Sequence, residues 1–181
     1  MTLSQKVQAF LKQQLKENRL KRKDFVQKSG IPPSNVGKII KAEYCNIGLK
    51  TLLFIANYFK CSIDMVVCRT SYVSPHKEKQ KFSDISLDEA NTNLRNFLCR
   101  KLKEYNLNPY KLAKKCGFSE TAIFNFIKDN NAKKALGSAV TVSLADYFQV
   151  SLDEMIGRVK HTTTVNSSDE NSDKDIDLNN S

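Results

Sequence analysis

The chain repeats itself, and that limits its folds more than any other feature. At a displacement of 87 residues Phe10-Leu11 falls on Phe97-Leu98, and Leu15-Lys16-Glu17 on Leu102-Lys103-Glu104. Leu20, Lys28, Gly30 and Lys41 then meet Leu107, Lys115, Gly117 and Lys128. Two residues are inserted in the second copy. At a displacement of 89, Gly48, Ala56 and Tyr58-Phe59 meet Gly137, Ala145 and Tyr147-Phe148. Ser62, Asp64 and Arg69 likewise match Ser151, Asp153 and Arg158. A repeat of this length is a duplicated folding unit, not a solenoid of short motifs. Each copy spans about 65 residues, near the lower size at which one core sustains a domain.

The pattern inside each copy is helical, and strand-like alternation is almost absent. In repeat 1 the spacing predicts a first helix over 4–18, with Val7, Phe10, Leu11 and Leu15 on one stripe. After a turn at Arg19-Leu20 a second helix runs over about 22–29, with Gly30 as its left-handed C-terminal residue. Pro33 suits the first position of a third helix, where a missing N–H costs nothing. That helix ends at Lys41 and buries Val36, Ile39 and Ile40, while Pro32 makes a poor cap. A fourth helix is predicted over 49–59 and a fifth from Ser62. Repeat 2 follows the same plan, with Ser119 as the expected N-cap of its third helix. The Ser151 and Glu154 pair has capping-box spacing for the fifth.

The predicted division is a first domain over 1–70, a polar linker over 71–88, a second domain over 89–160 and a disordered acidic tail over 161–181. The formal charge of +10 hides that division. The tail nets −4, so residues 1–160 carry +14, divided as +9 over 1–70 and +5 over 89–160. A small, strongly basic body points to a polyanionic partner, nucleic acid first.

Other classes find little support. The five cysteines form no CxxC pair, and three have close apolar or aromatic neighbours, which suits reduced thiols packed as small hydrophobes. The two histidines, His76 and His161, fall in the linker and tail, so no metal site is expected. No signal peptide or long apolar run is visible, and the chain reads as cytoplasmic and without a membrane partner. No nucleophile–base pair or phosphate-binding glycine loop appears, so neither enzymatic activity nor a cofactor is expected.

The signal carrying chemistry is a pair of short helices joined by a glycine turn. The first pair reads RKDFVQKSG (22–30) and PSNVGKIIK (33–41); the second reads PYKLAKKCG (109–117) and SETAIFNFIK (119–128). Both resemble the phage-repressor/Cro helix-turn-helix regulators, also called XRE-like, whose turn has the form L-A-x-x-x-G-hydrophobic-S. Leu112-Ala113, Gly117, Phe118 and Ser119 match that form, as do Phe25-Val26, Gly30 and Ile31 up to a departure at Pro32. The family's fourth and fifth helices are echoed by LKTLLFIANYFKCSIDMV and, less closely, by VTVSLADYFQVSLDEMI. The resemblance covers nearly all of both copies. It implies an all-α fold of two tandem five-helix, lambda-repressor-like DNA-binding domains.

In such a fold the third helix enters the major groove and the second crosses the phosphate backbone. Polar side chains near the start of the third helix would then read bases: Ser34, Asn35 and Lys38 in repeat 1, Thr121 and Asn125 in repeat 2. Lys21, Arg22, Lys23, Lys41, Lys114, Lys115 and Lys128 would contact phosphates. Gly37 would allow close backbone approach. In repeat 2, Glu120 repels phosphate and Phe124 is large for an exposed reading face. Phe54 stands where the family usually has a charge, and is expected to be exposed at an interface.

The resemblance implies a sequence-specific regulator of transcription, a repressor by preference, binding double-stranded DNA as a homodimer or as a covalent tandem. A second reading leaves repeat 1 on DNA and gives repeat 2 to dimerisation or to a regulatory protein partner.

Overall fold

A computed structural model describes residues 1–72, 81–129 and 135–159, and those residues are helical throughout apart from turns and one isolated bridge. The predicted tail over 161–181, residues 73–80 of the linker and the two histidines lie outside the described residues. The first copy supplies α1 (Leu3–Glu17), α2 (Arg22–Ser29), α3 (Pro33–Ile40), α4 (Leu49–Phe59) and α5 (Ile63–Val66), followed by a 3-10 turn at Thr70–Tyr72. The second supplies α6 (Leu87–Glu104), α7 (Pro109–Lys115), α8 (Thr121–Lys128), α9 (Ser138–Phe148) and α10 (Leu152–Met155).

Local chemistry sets the ends. Thr2 and Gln5 close a capping box at α1, and Ser86 and Glu89 do the same at α6, so that helix starts two residues before the boundary that the repeat suggests. Ser62 and Ser151 accept from the Met65 and Glu154 N–H groups at the starts of α5 and α10. The expected Ser119 cap does not form. Glu120 takes the N-cap position of α8 with helical dihedrals, and the Ser119 hydroxyl lies 3.4 Å from that of Thr121. Pro32 precedes α3 without a side-chain cap, as its lack of an acceptor dictates.

The turns recur between copies. Arg19 and Asn106, Lys60 and Gln149, and Gly30 and Gly117 all have positive φ at matched positions. Ala42 has φ 57 whereas its counterpart Asp129 is extended at φ −82, which places the divergence just before the two-residue insertion. An alanine at Gly30 would meet only the Phe54 ring, 4.0 Å away, so space permits it and φ of +71 opposes it. Gly30→Ala is expected to cost about 1–2 kcal/mol, the left-handed penalty for an L-residue, read from the denaturant midpoint.

Each copy encloses its own apolar residues: Val7, Leu11, Phe25, Val36, Ile39, Leu52 and Ile55 in the first; Leu94, Leu98, Leu112, Ile123, Leu144 and Ile156 in the second. In the first copy Phe25 stacks on Phe59 with centroids 5.6 Å apart, and Tyr58 meets it edge-on at 4.9 Å. The cysteines divide. Cys45, Cys68 and Cys99 are exposed, whereas Cys61 and Cys116 are half-buried, and burial pushes the Cys61 thiol up to about 12.

The two copies touch each other chiefly through α5 and α10, where several hydrogen bonds exchange in pairs. The Asp64 carboxylate accepts from the Leu152 N–H at 2.9 Å, and Asp153 accepts from the Ile63 N–H at 2.8 Å. Each aspartate is also paired with an arginine of its own copy, Asp64 with Arg69 and Asp153 with Arg158. Those arginines reach across in turn. Arg69 donates to the Val150 carbonyl at 3.1 Å and to Asp146 at 2.8 Å. Arg158 donates to the Cys61 carbonyl at 3.2 Å and to Asn57 at 2.9 Å. Gly48 pairs with its own counterpart, Gly137, in an antiparallel bridge. Burial pushes the Asp64 carboxyl up to about 6 against the pull of Arg69, and raises that of Asp153 against the pull of Arg158.

Candidate nucleic-acid interface

The α2–turn–α3 unit presents its polar side chains outward because its apolar ones are consumed by the core. Phe25, Ile31, Val36 and Ile39 are buried, which turns Ser34 and Lys38 to solvent and leaves Asn35 half-buried. The Gln8 side chain of α1 donates to the Ile40 carbonyl at 2.6 Å and so ties down the far end of α3. The second copy uses the same device: Arg95 of α6 donates to the Phe126 carbonyl of α8 at 3.0 Å. Both third helices are therefore fixed at their C-terminal ends by the first helix of their own copy.

Lys21 and Lys23 at the start of α2 and Lys41 at the end of α3 are exposed and take part in no ion pair among the described residues. Arg22 behaves differently. Its guanidinium donates to the Pro33 carbonyl at 3.3 Å and lies where a Cβ on Gly37 would fall, 2.8 Å from Nη2. The close approach that Gly37 permits is thus made by an arginine of the same chain, and Arg22 clamps α2 to α3. The run of three basic residues gave no hint of that difference.

In the second copy Thr121 and Asn125 are exposed on α8, with Ile123 and Phe126 buried beneath them. The lysines here have company. Lys114 lies 3.9 Å from the Glu120 carboxylate, Lys115 donates to the Tyr147 hydroxyl at 3.5 Å, and Lys128 sits 5.7 Å above the Phe124 ring. Phe124 is half-buried because Tyr110 stacks on it, with centroids 5.0 Å apart and planes 24° from parallel. Tyr110 remains 37% exposed. The spot filled by Arg22 over Gly37 in one copy is filled by an aromatic pair in the other.

Phe54 is not the open surface residue that its position suggested. It is half-buried, with Lys50 5.5 Å from its ring centroid, and lines a cleft of about 510 Å³ between α4 and the segment entering α6. Among the described residues no helix is long and apolar enough to cross a membrane.

Residues 11–64 match the Cro/C1-type HTH DNA-binding domain. The chain is similar to an uncharacterized HTH-type transcriptional regulator of Rickettsia prowazekii (strain Madrid E), 39% identical over 72 residues, which are 38% of this chain and 78% of that protein. A second such regulator, from Rickettsia conorii (strain ATCC VR-613 / Malish 7), is 38% identical over 72 residues, or 38% of this chain and 66% of that protein. No solved structure matches the chain.

Proposed function

The chain belongs to the Cro/C1-type helix-turn-helix family of transcriptional regulators, and from that membership we propose that it is a sequence-specific repressor whose α3 and α8 read the major groove. The observation that carries this reading is the outward face of α3. Ser34, Asn35 and Lys38 occupy one helix whose opposite face is buried, and Lys21 and Lys23 at the start of α2 and Lys41 at the end of α3 are exposed, with no ion pair among the described residues. Such an arrangement divides the work: lysines neutralise phosphates and set affinity, whereas Asn35 and Lys38 discriminate bases, Asn by pairing with adenine and Lys by donating to guanine. Occupying promoter DNA is enough to repress.

One observation favours a second reading for repeat 2. Its three candidate phosphate lysines are each engaged within the chain, and the Tyr110–Phe124 stack offers aromatic surface of the kind proteins use against one another. In that reading repeat 1 binds DNA and repeat 2 holds a protein.

Selection from a random duplex pool tests the main reading, run beside a Lys21→Ala/Lys23→Ala variant. An enriched motif is expected, with the variant weakened roughly 10- to 50-fold on every sequence alike near physiological salt. Its salt slope should be shallower by about 2, close to 0.9 per lost phosphate contact. Salt-sensitive binding without enrichment would reduce the protein to a nonspecific binder. A motif one half-site long would favour the second reading for repeat 2.

A further inference from the structure

The contacts between the two copies have the form of a self-complementary interface. Three pairs of cross-copy hydrogen bonds made by Asp64, Arg69, Asp153 and Arg158 interchange when the copies are exchanged at the displacement of 89. Ile63 to Asp153 becomes Asp64 to Leu152. Arg69 to Val150 becomes Cys61 to Arg158, and Arg69 to Asp146 becomes Asn57 to Arg158. Gly48 and Gly137 map onto each other and so lie on the axis of the exchange. This is the pattern of a twofold interface between identical subunits, in which residue i meets j and j meets i. Here both halves belong to one chain.

We infer that a single chain occupies a bipartite DNA site alone, with unlike half-sites, because the α5–α10 interface already joins two recognition helices about an internal pseudo-twofold axis. The inference rests on the DNA-reading function proposed above. A twofold interface is closed: the patch that would recruit a second copy is covered by the other half of the same molecule. The side chains that lock it are buried, with Asp64, Arg69, Asp153 and Arg158 all inaccessible or nearly so. Exchanging the copies also exchanges α3 with α8, at the displacement of 87 that holds before the two-residue insertion. Twofold symmetry is what matches a protein to paired half-sites on a duplex.

The two helices are not copies in chemistry. Ser34, Asn35 and Lys38 correspond to Thr121, Ala122 and Asn125. A lysine able to donate to guanine therefore stands opposite an asparagine suited to adenine, and Ala122 has no polar group where Asn35 has one. The preferred site is a degenerate palindrome, with guanine favoured in one half where adenine is favoured in the other.

The test uses the full chain and duplexes carrying the selected motif. Native mass spectrometry should find one chain per duplex, and the motif should contain two unlike halves about one helical turn apart. Inserting about half a turn, 5 bp, between them should cost at least tenfold in affinity, since it places the second half-site on the opposite side of the duplex. Lys38→Ala should relax base preference in one half alone. Two chains per duplex, a perfectly symmetric motif or indifference to the 5-bp insertion would overturn the inference while leaving the DNA-reading function standing. Failure to enrich any duplex would instead remove that function and the inference with it.

Discussion

Replacing Arg158 by alanine is expected to destabilise the protein by about 3–5 kcal/mol, the cost of stranding a buried charge. Arg158 is 0% exposed and holds together four neighbours: the Asp153 carboxylate, the Cys61 carbonyl, the Asn57 side-chain oxygen and the Ser83 carbonyl. The Phe82 ring covers it, 5.2 Å from the guanidinium carbon. Truncation leaves the Asp153 carboxyl inside the α5–α10 interface without its ion-pair partner, held from the other copy by backbone N–H groups, Ile63 among them. At this chain length a loss of that size lowers Tm by roughly 10 °C. Asp153→Asn combined with Arg158→Met removes both charges and should cost less than the sum of the single changes. Chemical denaturation of Arg158→Ala, the double variant and its two component single variants decides the matter. A single-variant loss below 1 kcal/mol would mean that water replaces the guanidinium and that the interface is not dry.

The second large effect belongs to Phe25→Ala, expected to cost about 3–5 kcal/mol in the first copy. Phe25 is 0% exposed and joins α2 to α4 through its stack on Phe59 and its edge contact with Tyr58; Phe59 continues to Phe10 of α1 at 6.0 Å. Its counterpart, Leu112, is also fully buried but aliphatic, so the second copy lacks this aromatic join. Phe25→Ala should therefore loosen α2 selectively, and with it the placement of Lys21 and Lys23. Hydrogen exchange should rise in α2 and α4 with α7 and α9 protected as before. Equal loosening of both copies would show that they unfold as one body.

The helices were legible in the sequence because short-range signals agreed. The apolar spacing of LKTLLFIANYF marks α4 end to end, and Gly30 terminates α2 in the left-handed conformation that the turn requires. What escaped depends on partners distant in the chain. Arg22 reads as one of three equivalent cations, yet only it can reach the Pro33 carbonyl over a residue without a Cβ. Phe124 reads as an exposed anomaly until Tyr110, fourteen positions earlier, is brought against it. Ser119 has the right chemistry for a cap but the chain continues one helical residue at Glu120, which takes its place. The interface between copies left one trace: Asp64 and Arg69 recur, five apart, as Asp153 and Arg158. Matched opposite charges in otherwise apolar segments signal a buried pair, though periodicity alone does not say that the pair faces the other copy.

The exchange about Gly48 and Gly137 is already imperfect, since Ser138 donates to the Ile47 carbonyl where its counterpart Leu49 has nothing to donate. Where Arg69 reaches a carboxylate, Asp146, Arg158 at the matching place reaches the amide of Asn57. In an assembly of identical subunits every mutation is inherited twice, once on each side of the axis, and must be tolerated in both settings at once. Fusing the halves into one gene product lifts that rule. A charge can be lost on one side and kept on the other, and each recognition helix can drift while its twin holds the original specificity.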